Sequence, residues 1–186
     1  MTLKEMKTKV LALIEELNPN KASLTDDPDI AAKINHVINQ IMYELVRLKK
    51  IPKYIEMEVS EGDIIDFAAI ERECGYEVYQ LSNVYGVSFV PRANGTVLKV
   101  LESGTAEIDF CIYPERITEK TKDSYEFELP ADMLEVMPYG VAADLLKSDV
   151  SADFGVVYAQ RYADMKQLLD PRYGMGMVTI EGGIDI

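Results

Sequence analysis

The chain has no tryptophan, one histidine and two cysteines among its 186 residues. Each scarcity narrows what it can be. Cys74 and Cys111 are too few and too far apart for a disulfide framework, and they read as buried small hydrophobes in a protein of a reducing compartment. A metal centre built on them would need more ligands than His36 supplies. His36 falls between Ile34 and Val37, beside an apolar stripe, which is the position of a boundary or interface histidine. No apolar run approaches the roughly 18 residues that cross a bilayer. The opening MTLKEMKTKV lacks the apolar core of a secretory signal.

Catalytic signatures are missing too. There is no glycine-rich phosphate loop of the Walker or dinucleotide type, and no Gly-x-Ser-x-Gly elbow. A cysteine nucleophile would have to borrow His36 from another part of the chain. Carboxylates do pair in sequence, Glu71 with Glu73 and Asp63 with Asp66. Such pairs can do acid–base or divalent-metal work. At separations of two or three in an acidic region they are the ordinary product of composition, and none has the spacing of a calcium loop. The sequence predicts no enzyme, no catalytic, cofactor or metal residue, and no cofactor.

What the chain has in excess is negative charge. Its formal net charge is −13, divided unevenly: +1 over residues 1–52, −9 over 53–129 and −5 over 130–186. A protein that grips nucleic acid presents a basic face. The middle of this chain would instead repel a phosphate backbone, and its charge also keeps it soluble.

Two helices open the chain. Thr2-Leu3-Lys4-Glu5 has the spacing of a capping box, and Met6, Val10, Leu13, Ile14 and Leu17 continue the helical period until Asn18-Pro19-Asn20 stops it. Thr25-Asp26-Asp27-Pro28-Asp29 opens the second, whose stripe runs from Ile30 through Ile34, Val37, Ile41 and Leu45 to Leu48. Arg47, Lys49 and Lys50 close it with the sign the helix dipole prefers. From Lys53 the period becomes two: Ile55, Met57 and Val59 alternate with glutamates. Ile64–Ile70 reads as a strand and then a short bend. Further strands are predicted over 77–84, 86–90, 96–98, 106–113 and 125–129, with Ala93-Asn94-Gly95 as a hairpin turn. About six or seven short strands at this spacing suggest a small antiparallel sandwich or barrel.

The stretch from Leu129 to Leu169 returns to helix. Pro130 suits a first helical turn, and Met133, Val136, Met137, Val141, Leu145 and Leu146 recur near helical spacing. Pro138 and Gly140 predict a kink or a wide first half. Ser151 or Asp153 can cap a last helix with Val157, Tyr158, Tyr162, Met165 and Leu169 as its stripe. The predicted class is α+β: a discontinuous bundle of about four helices, 1–52 with 130–170, carrying an inserted β domain, 53–129. Residues 171–186 form a flexible C-terminal arm. Its apolar residues Tyr173, Met175, Met177, Val178, Ile180, Ile184 and Ile186 are the candidate interface. They suit either packing on the arm's own domain or adding a strand to another subunit's sheet edge.

Three features carry a resemblance over nearly the whole chain. A long helix from Asp29-Ile30 leads through Ile51-Pro52 into a β insertion. Phe127-Glu128-Leu129-Pro130 precedes Val141-Ala142-Ala143-Asp144-Leu145-Leu146. A last helix runs from Tyr158 to Leu169 with Tyr162 inside it. This order of parts resembles phage head-to-tail adaptor proteins, also called connector or head-completion proteins, of the tail tubular protein A type. The resemblance implies a structural protein of the virion, made in the bacterial cytoplasm and placed at the head–tail junction. It implies a ring, usually of twelve subunits, seated beneath the portal protein and extending the DNA channel toward the tail and neck proteins. DNA would pass through without specific binding, and no membrane would be involved.

A second reading is a β-sandwich that binds carbohydrate, held on a helical oligomerisation stalk. Tyr76, Tyr79, Tyr85 and Phe89 would form its stacking face. A third is a metal-dependent hydrolase using the carboxylates from Asp63 to Glu73.

Overall fold

Thr2 and Glu5 form the capping box that their spacing predicts. Glu5 N–H donates to Thr2 Oγ1 at 3.2 Å and Thr2 N–H to Glu5 Oε2 at 2.9 Å, starting α1 (Leu3–Leu13). The computed structural model describes residues 1–147 and 153–169. Asp27 starts α2 (Pro28–Leu48), its carboxylate accepting the N–H groups of Asp29 and Ile30. Ile34, Val37, Ile38, Ile41, Met42 and Leu45 bury the predicted stripe.

The centre of the helical part is α4 (Ala131–Leu146). Its buried residues, Met133, Leu134, Val136, Met137, Val141 and Ala142, point to several sides, as expected of a helix apolar nearly all round. α1, α2 and α5 (Asp153–Leu169) all pack on it. Pro138 does not divide it: the helix runs unbroken to Leu146. Gly140 is where three helices meet. A Cβ there would stand 2.7 Å from Tyr162 Cε2 of α5 and 3.1 Å from Ile41 Cγ2 of α2. Only a residue without a side chain allows that approach.

Among the described residues there are five α-helices and two three-stranded antiparallel sheets, so the α+β class holds, and the barrel alternative does not: no closed barrel forms. The first sheet has the order β1 (Pro52–Val59), β6 (Gly104–Tyr113), β3 (Glu77–Tyr85). The second has β2 (Ile64–Asp66), β5 (Val97–Val100), β4 (Phe89–Arg92). The registers show one sheet broken across its width. β1 pairs with β6 down to Val59↔Gly104, and β2 resumes against β5 at Ile64↔Lys99. β3 ends at Tyr85↔Glu107, and β4 resumes at Phe89↔Val100. Gly62 N–H to Val100 O (3.0 Å) and Leu101 N–H to Ser88 O (2.8 Å) bridge the break. Gly62, Gly86 and Gly104 lie along it. At Gly86, with φ +81°, an added Cβ would stand 2.3 Å from the Thr105 carbonyl oxygen, so the bend is tightest there. The predicted Ala93–Gly95 turn joins β4 to β5.

Two predicted elements differ. Phe67–Cys74 is a helix, α3, where a bend is expected. Asp66 caps it, accepting Ala69 N–H at 2.8 Å, and Glu71 then accepts Val78 N–H at 2.8 Å, so the turn of helix is tied to β3. Tyr125–Leu129 is not a sheet strand. Its alternation is real, with Phe127 and Leu129 buried, but its backbone pairs with the start of α1. Leu3 N–H donates to Tyr125 O (2.8 Å) and Phe127 N–H to Met1 O (3.1 Å). The first of those bonds satisfies an α1 donor that has no partner inside the helix.

α2 joins the two kinds of structure. Its first half lies on the helices, while Tyr79 OH of β3 donates to Val46 O at 3.2 Å and Tyr43 packs edge-on to Tyr113 of β6. The buried residues of helices and strands form one continuous cluster. Asn39 fastens the segment that returns from β6. Its Nδ2 donates to Ile117 O (2.7 Å) and its Oδ1 accepts Ile117 N–H (2.8 Å), all buried. Replacing it with leucine keeps the volume and leaves both backbone groups unpaired, at about 1–3 kcal/mol each. Asn39→Leu is expected to lower stability by about 2–4 kcal/mol in urea denaturation with unchanged slope; a loss below about 1 kcal/mol would refute the assignment. Gly140→Val should cost about 1–3 kcal/mol by overpacking, a fall of roughly 3–10 °C in Tm. An unchanged Tm would show that α5 does not lie this close.

Candidate functional site

Strand register decides which acids share a surface. Tyr54 lies opposite Asp109, Glu56 opposite Glu107 and Glu58 opposite Thr105. From the other edge of the sheet, Asn83 lies opposite Asp109 and Tyr85 opposite Glu107. Side chains alternate along a strand, so these residues stand together on one face. Ile55, Met57, Ile108 and Phe110 take the other face, toward the helices, where Ile108 and Phe110 are fully buried. Among the described residues, the outer face of β1, β6 and β3 therefore presents Glu56, Glu58, Glu107 and Asp109 beside two exposed tyrosines, and no lysine or arginine. The cation nearest in sequence, Lys53, belongs to the inner side, its ammonium 4.8 Å from the centre of the Tyr76 ring.

The face holds its charge with neutral donors. Tyr54 OH donates to Glu56 (2.5 Å), Thr105 Oγ1 to Glu58 (2.7 Å) and Asn83 Nδ2 to Asp109 (3.3 Å). Glu56 directly opposite Glu107 is an unfavourable cross-strand pair. Like charges placed so are stabilised by water, and among the described residues none of these four carboxylates is in an ion pair. Tyr54 records that field. Its hydrogen bond to Glu56, with further contributions from desolvation and from the charges of Glu56, Glu107 and Asp109, pushes its hydroxyl up to about 12.

A second surface is apolar. On α5, Phe154, Val156 and Val157 are 62%, 74% and 59% exposed, and Leu168 is 81% exposed. The predicted stripe is only partly turned inward: Tyr158, Tyr162 and Met165 are half-buried and Leu169 is buried, but Val157 faces out. Tyr158 OH donates to Leu13 O at 2.6 Å, taking up a carbonyl at the end of α1. Lys166 pairs with Glu44 of α2 at 2.7 Å. The Tyr162 hydroxyl, buried between them, makes no hydrogen bond of normal geometry, and burial together with the Glu44 charge raises its pKa.

The other candidate residues scatter. Tyr79 turns inward to α2, Tyr85 stands on the outer face, and Tyr76 is half-buried with its hydroxyl 3.3 Å from Glu128. With Phe89 across the break in β4, these four do not make one stacking platform. Asp63 and Asp66 accept backbone N–H groups of Ser60 and Ala69, as turn and cap, and Glu73 is exposed. Among the described residues no three of His, Cys, Asp or Glu converge as metal ligands. His36 is exposed on α2, and Cys74 and Cys111 are both free thiols. Ser151 and the arm residues Tyr173, Met175, Met177, Val178, Ile180, Ile184 and Ile186 lie outside the described residues. No helix among the described residues is long and apolar enough to cross a membrane.

No protein-family model matches the chain, and no curated protein matches it. The face can be tested on its own terms. Removing the Glu56 charge should let Tyr54 ionise near the ordinary value of about 10. Tyrosine ring NMR across an alkaline titration of Glu56→Gln is expected to show the Tyr54 midpoint falling from about 12 toward that value. An unmoved midpoint would mean that the two side chains do not meet.

Proposed function

We propose that this chain is a structural head-to-tail adaptor of a phage or prophage, forming a ring beneath the portal and continuing the DNA channel toward the tail. In this reading residues 1–52 and 130–170 make the helical domain and 53–129 the insertion. The observation that carries it is the outer face of β1–β6–β3, with Glu56, Glu58, Glu107 and Asp109 and no cation among them. A channel wall for DNA has to be smooth to a polyanion. A cation-free carboxylate face gives no counterion release on contact, so DNA slides past without sticking.

The exposed residues of α5 support the same reading. Closed rings use heterologous contacts, in which one face meets a different face of the neighbour. Phe154, Val156 and Val157 are exposed apolar residues at one end of α5, away from the acidic strands in sequence and on a different element. One face can join subunits while the other remains free to line the axis. The partners are then the portal protein, neck or tail proteins and further copies of this chain, at the head–tail junction of the virion.

Electron microscopy of the purified chain, alone and mixed with the portal protein of the same genome, tests the proposal. The expected result is a ring on the portal with residues 54–58 and 105–109 facing the axis. A monomer under both conditions, or acidic strands facing outward, would overturn it. Val157→Asp leaves a solvent position in the free chain and should raise the concentration needed for assembly at least tenfold, about 1.4 kcal/mol. Unchanged assembly would remove α5 from the interface.

A further inference from the structure

We infer that the outer edge of β1 docks an extended segment of another protein, added as a further antiparallel strand with lysine or arginine at alternate positions. The sheet β1–β6–β3 has two edges. A strand edge is a row of N–H and C=O groups without partners, and proteins blunt it with bulges, a covering element or guarding cations. The β3 edge is blunted in this way. Its register against β6 shifts between Val78 and Gln80 and again between Leu81 and Asn83. α3 packs beside it, and the Glu71 carboxylate of that helix accepts Val78 N–H.

The β1 edge is left open among the described residues. Its register runs from Pro52↔Cys111 to Val59↔Gly104 without a shift, and Pro52 guards only its first position. Ile112 N–H donates to Ile51 O. That parity turns the backbone groups of Lys53, Ile55 and Met57 toward β6 and those of Tyr54, Glu56 and Glu58 outward. Among the described residues no strand or turn pairs with these outward groups, and all three residues are exposed. Lys53, the basic residue of the strand, is engaged elsewhere, 3.7 Å from Glu128 and over the Tyr76 ring. Ile55 and Met57 are only half-buried, so an added strand finds apolar neighbours on the helix side.

Charge selects the occupant. Residues opposite Glu56 and Glu58 in an added strand share their face, where cations make favourable cross-strand pairs. Glu107, across from Glu56 on β6, adds to the same attraction. Residues between them fall on the face of Ile55 and Met57, which calls for apolar side chains. A second copy pairing through this same edge would bring Glu56 and Glu58 beside their own counterparts, at a cost. In such strand addition the backbone ladder gives affinity and the alternate side chains give specificity. The inference concerns the edge of the sheet rather than its face, and it stands whether or not the chain forms a ring.

Backbone amide NMR of the isolated chain tests it, with titration at low salt by the end-blocked peptide Lys-Val-Lys-Ile-Tyr-Glu. In antiparallel register its lysines meet Glu58 and Glu56, and its valine and isoleucine meet Met57 and Ile55. The expected result is saturable shifts at Tyr54, Glu56 and Glu58, with amide exchange there slowed about tenfold or more at saturation. N-methylating the second lysine, whose N–H belongs to the ladder, should abolish binding; N-methylating the valine, whose N–H points away from β1, should not. Combining Glu56→Lys with Glu58→Lys should weaken the peptide about tenfold and transfer the preference to Glu-Val-Glu-Ile-Tyr-Lys. Dispersed amide signals identify that variant as folded, and if it is not, the two N-methyl peptides decide. No saturable shift, equal loss with either N-methyl peptide, or a folded variant that keeps its preference for lysine would each overturn the proposal. So would slow exchange at Tyr54, Glu56 and Glu58 before any peptide is added.

Discussion

A helix that is apolar on nearly every side cannot lie on a surface, and α4 is such a helix. Its burial demands a wall of structure around it, and one helix cannot supply that. α1 and α2 come from the start of the chain and α5 from beyond α4 itself. The sequence between them must leave the helices and come back, as it does through the strands. Gly140 sets how closely the wall can approach, since Tyr162 and Ile41 stand where its side chain would be. With α2 fixed there, its far half is directed over the sheet, and Tyr79 and Tyr43 fasten the two together.

The return journey is the less regular part, and it is held by backbone groups. Asn39 offers Ile117 the donor and acceptor that a neighbouring strand would have offered. The first turn of α1 takes up carbonyls at Asp123 and Tyr125. The segment from Pro114 to Pro130 is thus tied to the helices at Ile117, Asp123 and Tyr125 and to Met1 at Phe127, without joining either sheet.

Local chemistry made much of this legible in advance. The Thr2–Glu5 box, the Asp27 cap, the long stripe of α2 and the Ala93–Gly95 turn each depend on residues a few positions apart, and each formed as read. Misreadings arose where a distant partner decided the outcome. The alternation of Tyr125–Leu129 says that one side is buried, but not that the burying element is a helix terminus. Ile64–Ile70 hid a helix because Asp66 serves both as the last strand residue and as the cap. Composition showed that the middle of the chain is acidic, whereas only the register of β1 and β3 on β6 shows that Glu56, Glu107 and Asp109 share a face. Val157 sits next to the stripe in sequence, yet it falls on the outer side of α5, because the inward face runs through Tyr158, Tyr162, Met165 and Leu169, about 100° further round the helix.

The row of Gly62, Gly86 and Gly104 decides how the two sheets share one core. At Gly86 the chain passes so close to the Thr105 carbonyl that no side chain fits, and Val100 bonds to both Gly62 and Asp63 across the same line. The turn is thereby made without a gap, and Ile65, Leu98 and Val100 beyond it stay buried in the cluster that holds Ile108 and Phe110. Three missing side chains let a change of direction cost the interior nothing.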